Sequence, residues 1–262
     1  MAMRDYLPTR GFKWIHPLET TSPEFWTKFI LDQKDEQDDG FMFEADLEYP
    51  EHLHDLHDNF PLAPEHLNIQ KDMLSSYQKD LADNLDTKVG GEKLCLSFLP
   101  KKQYICHYRN LKLYLEKGLK KTKVRRVLTF KQSPWLKPYI DLNTKLRQAA
   151  DNKFDESFAK LMNNSFFGKT CEDVRKYKDV KIAMTDERVR KLIAKPNSKQ
   201  FKIYHENLAA IQLKRNVITL NKPRYIGMCI LDISKIIMYK FHYDFIMPKY
   251  PNTKLLFTDT DR

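Results

Sequence analysis

Cysteine is scarce in this sequence, and its four copies lie far apart at Cys95, Cys106, Cys171 and Cys229. No Cys-x-x-Cys pair occurs, so neither a disulfide framework nor a zinc site is indicated, and a reducing compartment is expected. The N-terminus has no apolar core of signal-peptide length, and no apolar run reaches the roughly 18 residues of a membrane-spanning helix. We therefore expect a soluble, intracellular protein with no membrane partner.

Acidic residues are also in deficit, with 35 Asp and Glu against 45 Lys and Arg, a formal net charge of +10. An excess of this sign suits a polyanionic partner. Apolar residues make up 42% of the 262 positions and aromatic residues 12%, which excludes a disordered tail. The chain is long enough for one large domain or two small ones with a buried core.

The positive charge is concentrated between Lys101 and Lys131, where eleven basic residues face a single acid, Glu116. Tyrosines, a phenylalanine and a histidine are interleaved with them, a mixture that suits a surface tracking phosphates and stacking on bases. A solvated basic helix face would look the same. The predicted DNA-binding residues of this segment are Arg109, Lys112, Lys120, Lys121, Lys123, Arg125 and Arg126.

Strand and helix patterns alternate along the chain without a regular βαβ repeat, which predicts an α+β fold. Strands are predicted at 41–45, 180–183, 201–204, 209–213 and 255–257, and helices at 110–121, 138–168 and 231–245. In the second helix, Phe154, Phe158, Leu161 and Met162 have the spacing of one buried stripe, and in the third the stripe is Ile233, Ile236, Ile237 and Phe241. The three tryptophans, Trp14, Trp26 and Trp135, are expected to pack.

Two aspartates one residue apart, Asp259 and Asp261, follow the last predicted strand. On an extended segment their side chains point to the same side, so both can face a cleft. Metal-dependent phosphoryl transfer needs such a cluster, because carboxylate oxygens can hold two divalent ions roughly 3.5–4 Å apart. A polar turn with aspartate caps has the same pattern, so this pair alone does not decide.

A second pattern, Lys160-Leu-Met-Asn-Asn-Ser-Phe-Phe-Gly168, matches Lys-x-x-x-Asn-Ser-x-Tyr-Gly except that Phe167 replaces the tyrosine. On a helix Lys160, Asn164 and Phe167 share one face, which can offer an ammonium to a triphosphate and a flat ring to a base. The alternative is an amphipathic helix with an incidental lysine. The full pattern resembles motif B of family B DNA polymerases.

The resemblance covers most of the chain. The sequence is similar to the protein-primed polymerases of self-synthesising (Polinton/Maverick-type) mobile elements and related viruses. The phrases that carry it are Asp46-Leu-Glu-Tyr-Pro50, Phe60-Pro-Leu-Ala-Pro-Glu65, His107-Tyr-Arg-Asn-Leu111, Trp135 to Asn143 and Lys160 to Lys169. It implies a right-hand polymerase, with an antiparallel palm sheet and helical fingers. The implied segments are a lead-in (1–40), palm with motif A and the basic segment (41–131), fingers with motif B (132–175) and palm ending in motif C (176–262).

The resemblance also implies roles for single residues. Asp46 and Asp261 would bind two Mg²⁺ ions with Asp259 beside them, and Tyr49 would close against the sugar of the nucleotide. Lys160, Asn164 and Phe167 would bind the incoming dNTP, together with Arg147 or, as the next choice, Lys145. The implied partners are primer-template DNA, dNTPs and a terminal protein whose hydroxyl can act as the first primer.

Several departures leave alternatives open. Motif A usually has two more residues between its aspartate and Tyr-Pro, so Glu44 competes with Asp46 for that role. The chain ends at Arg262, before a second catalytic strand and a thumb, and nothing before residue 40 resembles exonuclease motifs. A truncated or decayed polymerase that binds nucleic acid without catalysis is the second interpretation, and an unrelated basic nucleic-acid-binding protein is the third. His52, His54 and His57, with Asp55 and Asp58, could form a metal cluster, although surface or packing roles are favoured.

Overall fold

A computed structural model describes residues 1–17, 22–87 and 90–258 of the chain. Within these residues the strands are β1 Leu7–Ile15, β2 Asp39–Glu48, β3 Glu65–Ile69, β4 Gly91–Cys95, β5 Lys101–His107, β6 Lys120–Ser133, β7 Asp179–Ala183, β8 Ser198–His205 and β9 Leu208–Leu213. The helices are α1 Pro23–Asp32, α2 His54–His57, α3 Ser76–Asn84, α4 Tyr108–Glu116, α5 Lys137–Gln148, α6 Lys153–Thr170, α7 Asp186–Ile193, α8 Arg224–Lys240 and α9 Met247–Lys249. A π-helical segment, Phe241–Ile246, joins α8 to α9.

The central element is a four-stranded antiparallel sheet in the order β1-β6-β2-β5. Along β2, Phe43, Ala45 and Leu47 are almost fully buried, as expected where every second side chain points to one face. They pack with residues of α1, α4 and the end of α8, among them Ile30 and Tyr114. This cluster is the main hydrophobic core.

A second cluster lies on the opposite face at one end of the sheet, around Met42 and Phe130. Ile140 of α5 and the N-terminal half of α8, including Ile230 and Ile233, complete it. Because α8 contributes Ile230 and Ile233 here and Ile236 and Tyr239 to the main core, it ties the two clusters together. Asp232, between these groups, is 4% exposed and accepts a hydrogen bond from His107 N.

Two smaller sheets lie outside the central one. Strands β3 and β4 form an antiparallel pair, and β7, β9 and β8 form a three-stranded sheet in that order. The three-stranded sheet has its own small core, in which Leu192 of α7 packs with Ala183, Ile211 and Leu213. In the sequence, helices α5 and α6 lie between these two sheets. The hydroxyl of Tyr139 in α5 donates a hydrogen bond to Met162 O in α6 and so joins the two helices.

The α+β class predicted from the sequence is confirmed, as are the strands β7, β8 and β9. The helix predicted for 110–121 is wrong in its second half, because α4 ends at Glu116 and Lys120 already belongs to β6. Gly118 has a φ of +97°, a left-handed conformation that ends a helix at little cost. The positive charges after it are therefore carried by a strand.

The single helix predicted for 138–168 is two helices, because α5 ends at Gln148 and Asn152 caps the start of α6. The predicted buried stripe of α6 is also wrong. Phe154 is 76% exposed and Leu161 60%, and Phe158 is exposed as well. The buried residues of α6 are instead Ala159 and Thr170, and its half-buried Phe166 and Phe167 pack against the second cluster.

The third predicted helix begins earlier, at Arg224. Its stripe is correct for Ile233 and Ile236 but wrong for Ile237 and Phe241, which are 37% and 58% exposed. The strand predicted at 255–257 does not form within the described residues, where Leu256 is 93% exposed. A lone extended segment without a neighbouring strand has no ladder hydrogen bonds to stabilise it. Across the described part of the chain, every helix is too short or too polar to cross a bilayer.

Gly227 allows α8 to approach the end of α6. A Cβ at this position would collide with Cys171 Sγ and lie 2.8 Å from Thr170 Oγ1, whereas a Cβ at Gly168 would meet no atom within 4 Å. We predict that Gly227→Ala lowers the free energy of unfolding by about 1–3 kcal/mol through overpacking. Gly168→Ala, the matched control, should raise it by up to about 1 kcal/mol through helix propensity. Urea denaturation followed by circular dichroism measures both, and an unchanged stability of Gly227→Ala would contradict the packing described.

Candidate functional site

Two carboxylates lie on the face of β2 that points away from the main core. Glu44 and Asp46 alternate with the buried Phe43, Ala45 and Leu47, and their side chains are only 8% and 15% exposed. Acidic groups this enclosed need compensation, because burial disfavours the charged form. Each of them is compensated by an arginine of the neighbouring strand β6.

Irregular pairing between β2 and β6 brings both arginines to the carboxylates. Glu44 pairs with Arg126, but Ala45 pairs with Val124, so Arg125 is an extra residue in β6. A β-bulge of this kind redirects a side chain that would otherwise face the opposite side of the sheet. Val124 consequently packs in the main core, while Arg125 and Arg126 both reach the carboxylate face.

The carboxylate of Asp46 accepts three hydrogen bonds from two residues. It accepts from Arg125 Nε at 2.8 Å and from Arg125 Nη2 at 2.7 Å, a bidentate pair, and also from Gln103 N at 2.8 Å. Gln103, in β5, has a φ of +55°, an uncommon conformation for a residue other than glycine. The hydrogen bonds from Arg125 are the largest cause that lowers the pKa of Asp46, followed by that from Gln103, against the opposing effect of burial.

Glu44 accepts from Arg126 Nε at 2.6 Å. The guanidinium of Arg126 also lies over the ring of Trp14, 5.5 Å from its centroid. Of the three tryptophans expected to pack, Trp26 is buried in the core at 8% exposure, whereas Trp14 is 60% exposed and Trp135 41%. We call Glu44, Asp46, Lys123, Arg125 and Arg126 the carboxylate face; Lys123 belongs to it because it pairs with Asp46 across the strands.

Tyr49 lies immediately after β2 and is 6% exposed. Its hydroxyl is 2.6 Å from His57 Nδ1 and accepts from Leu62 N at 3.3 Å. Burial raises the pKa of Tyr49 to about 12 and lowers the pKa of His57 from 6.5 to about 4. The hydroxyl therefore donates to a neutral imidazole, and this hydrogen bond anchors the chain after β2.

The neighbouring histidines are packing or surface residues. His54 stacks on Phe98 with ring centroids 4.3 Å apart, and His52 is exposed. Over the ranges that the structure describes, no three His, Cys, Asp or Glu side chains are grouped as a metal site would require. The metal cluster considered for this segment is therefore absent from the described residues.

The predicted nucleotide-binding residues lie on the α5–α6 pair. Lys160 and Asn164 are exposed on α6, while Phe167 is half-buried beside the second cluster. Arg147 forms an ion pair with Glu156 at 3.1 Å, and Lys145 is exposed on the same helix. Their roles toward a nucleotide stay predictions.

The predicted DNA-binding residues divide into two groups. Arg125, Arg126 and Lys123 belong to the carboxylate face, and Lys120 is exposed at the start of β6. The other three serve the fold: Arg109 pairs with Asp5 and Asp35, Lys112 donates to Gln33 O, and Lys121 donates to Pro23 O. The side chains of Arg109, Lys112 and Lys121 are thus engaged within the chain, as are those of Arg125 and Arg126, and the roles of all seven residues toward DNA stay predictions.

Asp259 and Asp261 lie outside the described residues. The pairing of Arg126 with Glu44, the bulge at Arg125 and the exposed Trp14 were missed by sequence reasoning. Only the spacing of Glu44 and Asp46, two residues apart on a strand, could have indicated that both carboxylates share one face.

Comparison with known proteins assigns the class. The family described as DNA polymerase type B, organellar and viral, matches residues 17–248. Because the match spans most of the chain, the protein is a member of the type B DNA polymerases. More narrowly, it belongs to their organellar and viral family.

Solved structures similar to the chain include those of Phi29 DNA polymerase. A complex with primer-template DNA shares 14% identity over 91% of this chain, with a TM-score of 0.46. A ternary complex with primer-template DNA and incoming nucleotide substrates shares 16% identity over 92%, with a TM-score of 0.45. The chain spans 32% and 34% of those two polymerase chains. No curated protein sequence matches it.

Because His57 is buried, we predict that the free energy of unfolding decreases at acidic pH. The folded-state pKa of His57 lies below its ordinary value, so the unfolded state takes up the proton first and stability falls as the pH drops from 6.5 toward 4. We expect about 1–2 kcal/mol of the loss between pH 7 and 5 to come from this group. In His57→Gln, denaturant titrations should show a smaller loss over this range.

His107 and His242 also have a lowered pKa because they are buried, so a residual acid dependence should remain in His57→Gln. The exposed His52 provides the matched control, and His52→Gln should keep the full pH dependence. Identical pH dependence of His57→Gln and the unmodified chain would show that His57 is not held neutral.

Proposed function

We propose that this chain is the catalytic part of a DNA-directed DNA polymerase, with the carboxylate face as its reaction surface. The reaction is template-directed transfer of deoxynucleotides to a primer 3′-OH. The observation that carries the proposal is the pair Glu44 and Asp46, enclosed on one face of the central sheet in a member of the type B polymerases. The central sheet would be the palm, and the α5–α6 pair would form the fingers.

The side chains of the carboxylate face fit Mg²⁺ in the chemistry of their donors. Carboxylate oxygens are the hard ligands that this ion prefers, and Glu44 and Asp46 present them two residues apart on one strand. Both are at present compensated by arginines, so a cation would take the place of a guanidinium rather than enter an uncompensated pocket. Asp46 would hold the ions with Asp261, Asp259 would lie beside them, and Glu44 is the alternative to Asp46.

Two bound Mg²⁺ ions would supply activation of the attacking hydroxyl and stabilisation of the leaving oxygen. The chain itself would contribute positive charge toward the transferring phosphoryl group through Arg125, Arg126 and Lys123, once the carboxylates bind cations. Gln103 N fixes the orientation of the Asp46 carboxylate. Lys160, Asn164 and Phe167, with Arg147 or Lys145, would bind the incoming dNTP.

The resemblance implies that Tyr49 favours deoxyribose over ribose. Because its ring packs in the main core and its hydroxyl is bonded to His57, Tyr49 would act by fixing the backbone that follows β2. The first primer would be a hydroxyl of a terminal protein, as the resemblance to protein-primed polymerases of mobile elements implies. Primer-template DNA and dNTPs are the proposed partners.

A second candidate is a polymerase remnant that binds nucleic acid without catalysis. It is favoured by the bidentate contact of Arg125 with Asp46, which neutralises the carboxylate that the reaction needs. Catalysis requires this pair to open when cations bind, whereas a non-catalytic DNA-binding surface is compatible with a permanent pair. The two candidates differ in whether DNA binding is accompanied by synthesis.

Primer extension on a short primed template with Mg²⁺ and dNTPs separates them. The assay compares the chain with its Asp46→Asn and Asp261→Ala variants. We expect either substitution to reduce extension at least about a hundredfold. Glu48→Gln, at the exposed end of the same strand, should leave extension intact. DNA binding without extension by any version would favour the remnant.

Lys160→Ala should raise the KM for dNTPs about tenfold while primer-template affinity stays unchanged, because its exposed ammonium is predicted to meet the triphosphate. Lys153→Ala, at the exposed first turn of the same helix, is the control and should keep the original KM. Steady-state extension with varied dNTP concentration measures both. An equal change in the two variants would contradict a specific role of Lys160.

A further inference from the structure

Trp14 is an exposed aromatic residue on the same side of the central sheet as the two carboxylates. It pairs with Leu128 of β6, and Leu128 pairs with Met42 of β2. Directly paired residues of neighbouring strands share a face, and so do residues two apart along a strand. Trp14 therefore lies on the face of Glu44, across β6 from it.

The ring is fixed from one side and open on the other. Arg126 lies 5.5 Å from the centroid of the Trp14 ring and also donates to Glu44. This arrangement fixes the position of the indole without covering it, since 60% of the residue remains exposed. Packing alone does not account for such a residue, because a buried indole such as that of Trp26 removes far more apolar area from water.

Further rings continue from Trp14 along the sheet. Phe12, two residues earlier in β1, lies 4.8 Å from the ring of Tyr225 and 5.9 Å from that of Phe130. Phe12 and Tyr225 are each 38% exposed. A row of partly exposed rings bordered by arginine and lysine side chains is the arrangement that holds successive bases of a single strand.

We propose that Trp14 stacks on a nucleobase of the DNA strand that crosses the carboxylate face, with Arg126 holding the ring in position. The occupant is nucleic acid rather than protein because the carboxylate face carries three basic side chains against two acidic ones, and the exposed Lys123 supplies the excess positive charge that suits phosphates. Stacking on a ring held by a guanidinium needs no particular base, which suits a protein that must accept any sequence. The inference rests on the proposed function and adds a binding residue to it.

Fluorescence anisotropy of a labelled primer-template, titrated with the 262-residue chain without dNTPs, tests the inference. We expect Trp14→Ala to bind about tenfold more weakly. Trp14→Phe, which keeps a ring, should bind within about threefold of the unmodified chain. The matched control is Tyr204→Ala: this strand residue is 59% exposed and has Lys202 Nζ 5.1 Å from its ring, but it lies in the three-stranded sheet.

Saturating DNA should also quench part of the tryptophan emission, and that part should be missing in Trp14→Phe. Circular dichroism and melting temperature should be unchanged in all variants, because the substituted rings are largely exposed. The inference is overturned if Trp14→Ala binds within twofold of the unmodified chain, or if Tyr204→Ala loses as much affinity. Failure of the unmodified chain to bind would overturn both the inference and the proposed function, whereas binding that does not depend on Trp14 would overturn the inference alone.

Discussion

The pairing of β2 with the bulged strand β6 is the interaction on which the rest of the structure depends. A regular ladder would point Arg125 toward the hydrophobic core and leave Asp46 without its guanidinium. The bulge resolves both problems, because Val124 enters the core and Arg125 reaches the carboxylate. Two acidic groups can then lie on a nearly enclosed face without the large cost of unpaired buried charge. Charge compensation across these two strands thus allows two carboxylates to lie on the face of β2 opposite the main core.

The surrounding elements keep that face rigid. The main core packs against one face of β2, and α8 links the main core to the second cluster. The strand that carries the carboxylates is therefore supported along its length. At the end of β2, the buried Tyr49 fixes the following segment through His57 and Leu62. On the carboxylate face, Trp14 of β1, the backbone N of Gln103 in β5 and the arginines of β6 lie around the two acidic groups. A supported sheet that carries two enclosed carboxylates is consistent with membership of the type B polymerases.

Much of this arrangement could be predicted from local sequence patterns, and the remainder depends on long-range contacts. The alternation along β2 and the helix-face spacing of Lys160 and Asn164 are properties of a few consecutive residues, so they were predictable. The bulge at Arg125 was not, since it depends on which residues of a distant strand are paired. The apolar spacing of Phe154 and Phe158 indicated burial, but spacing shows only that side chains share a face. Which face is covered depends on where the neighbouring elements lie: Phe166 and Phe167 pack against the second cluster, whereas Phe154 and Phe158 stay exposed.

The central claim is that cations bind at the carboxylate face, and cleavage of the backbone by bound Fe²⁺ tests it most directly. Iron replaces Mg²⁺ at oxygen ligands and, with ascorbate and peroxide, generates radicals that cut the chain close to the metal. The account predicts fragments from cuts beside Asp46, and beside Gln103 and Lys123 on the two strands that flank it, all suppressed by excess Mg²⁺. Cuts concentrated elsewhere, such as around His52 and His54, or an absence of cuts in β2, would contradict the account.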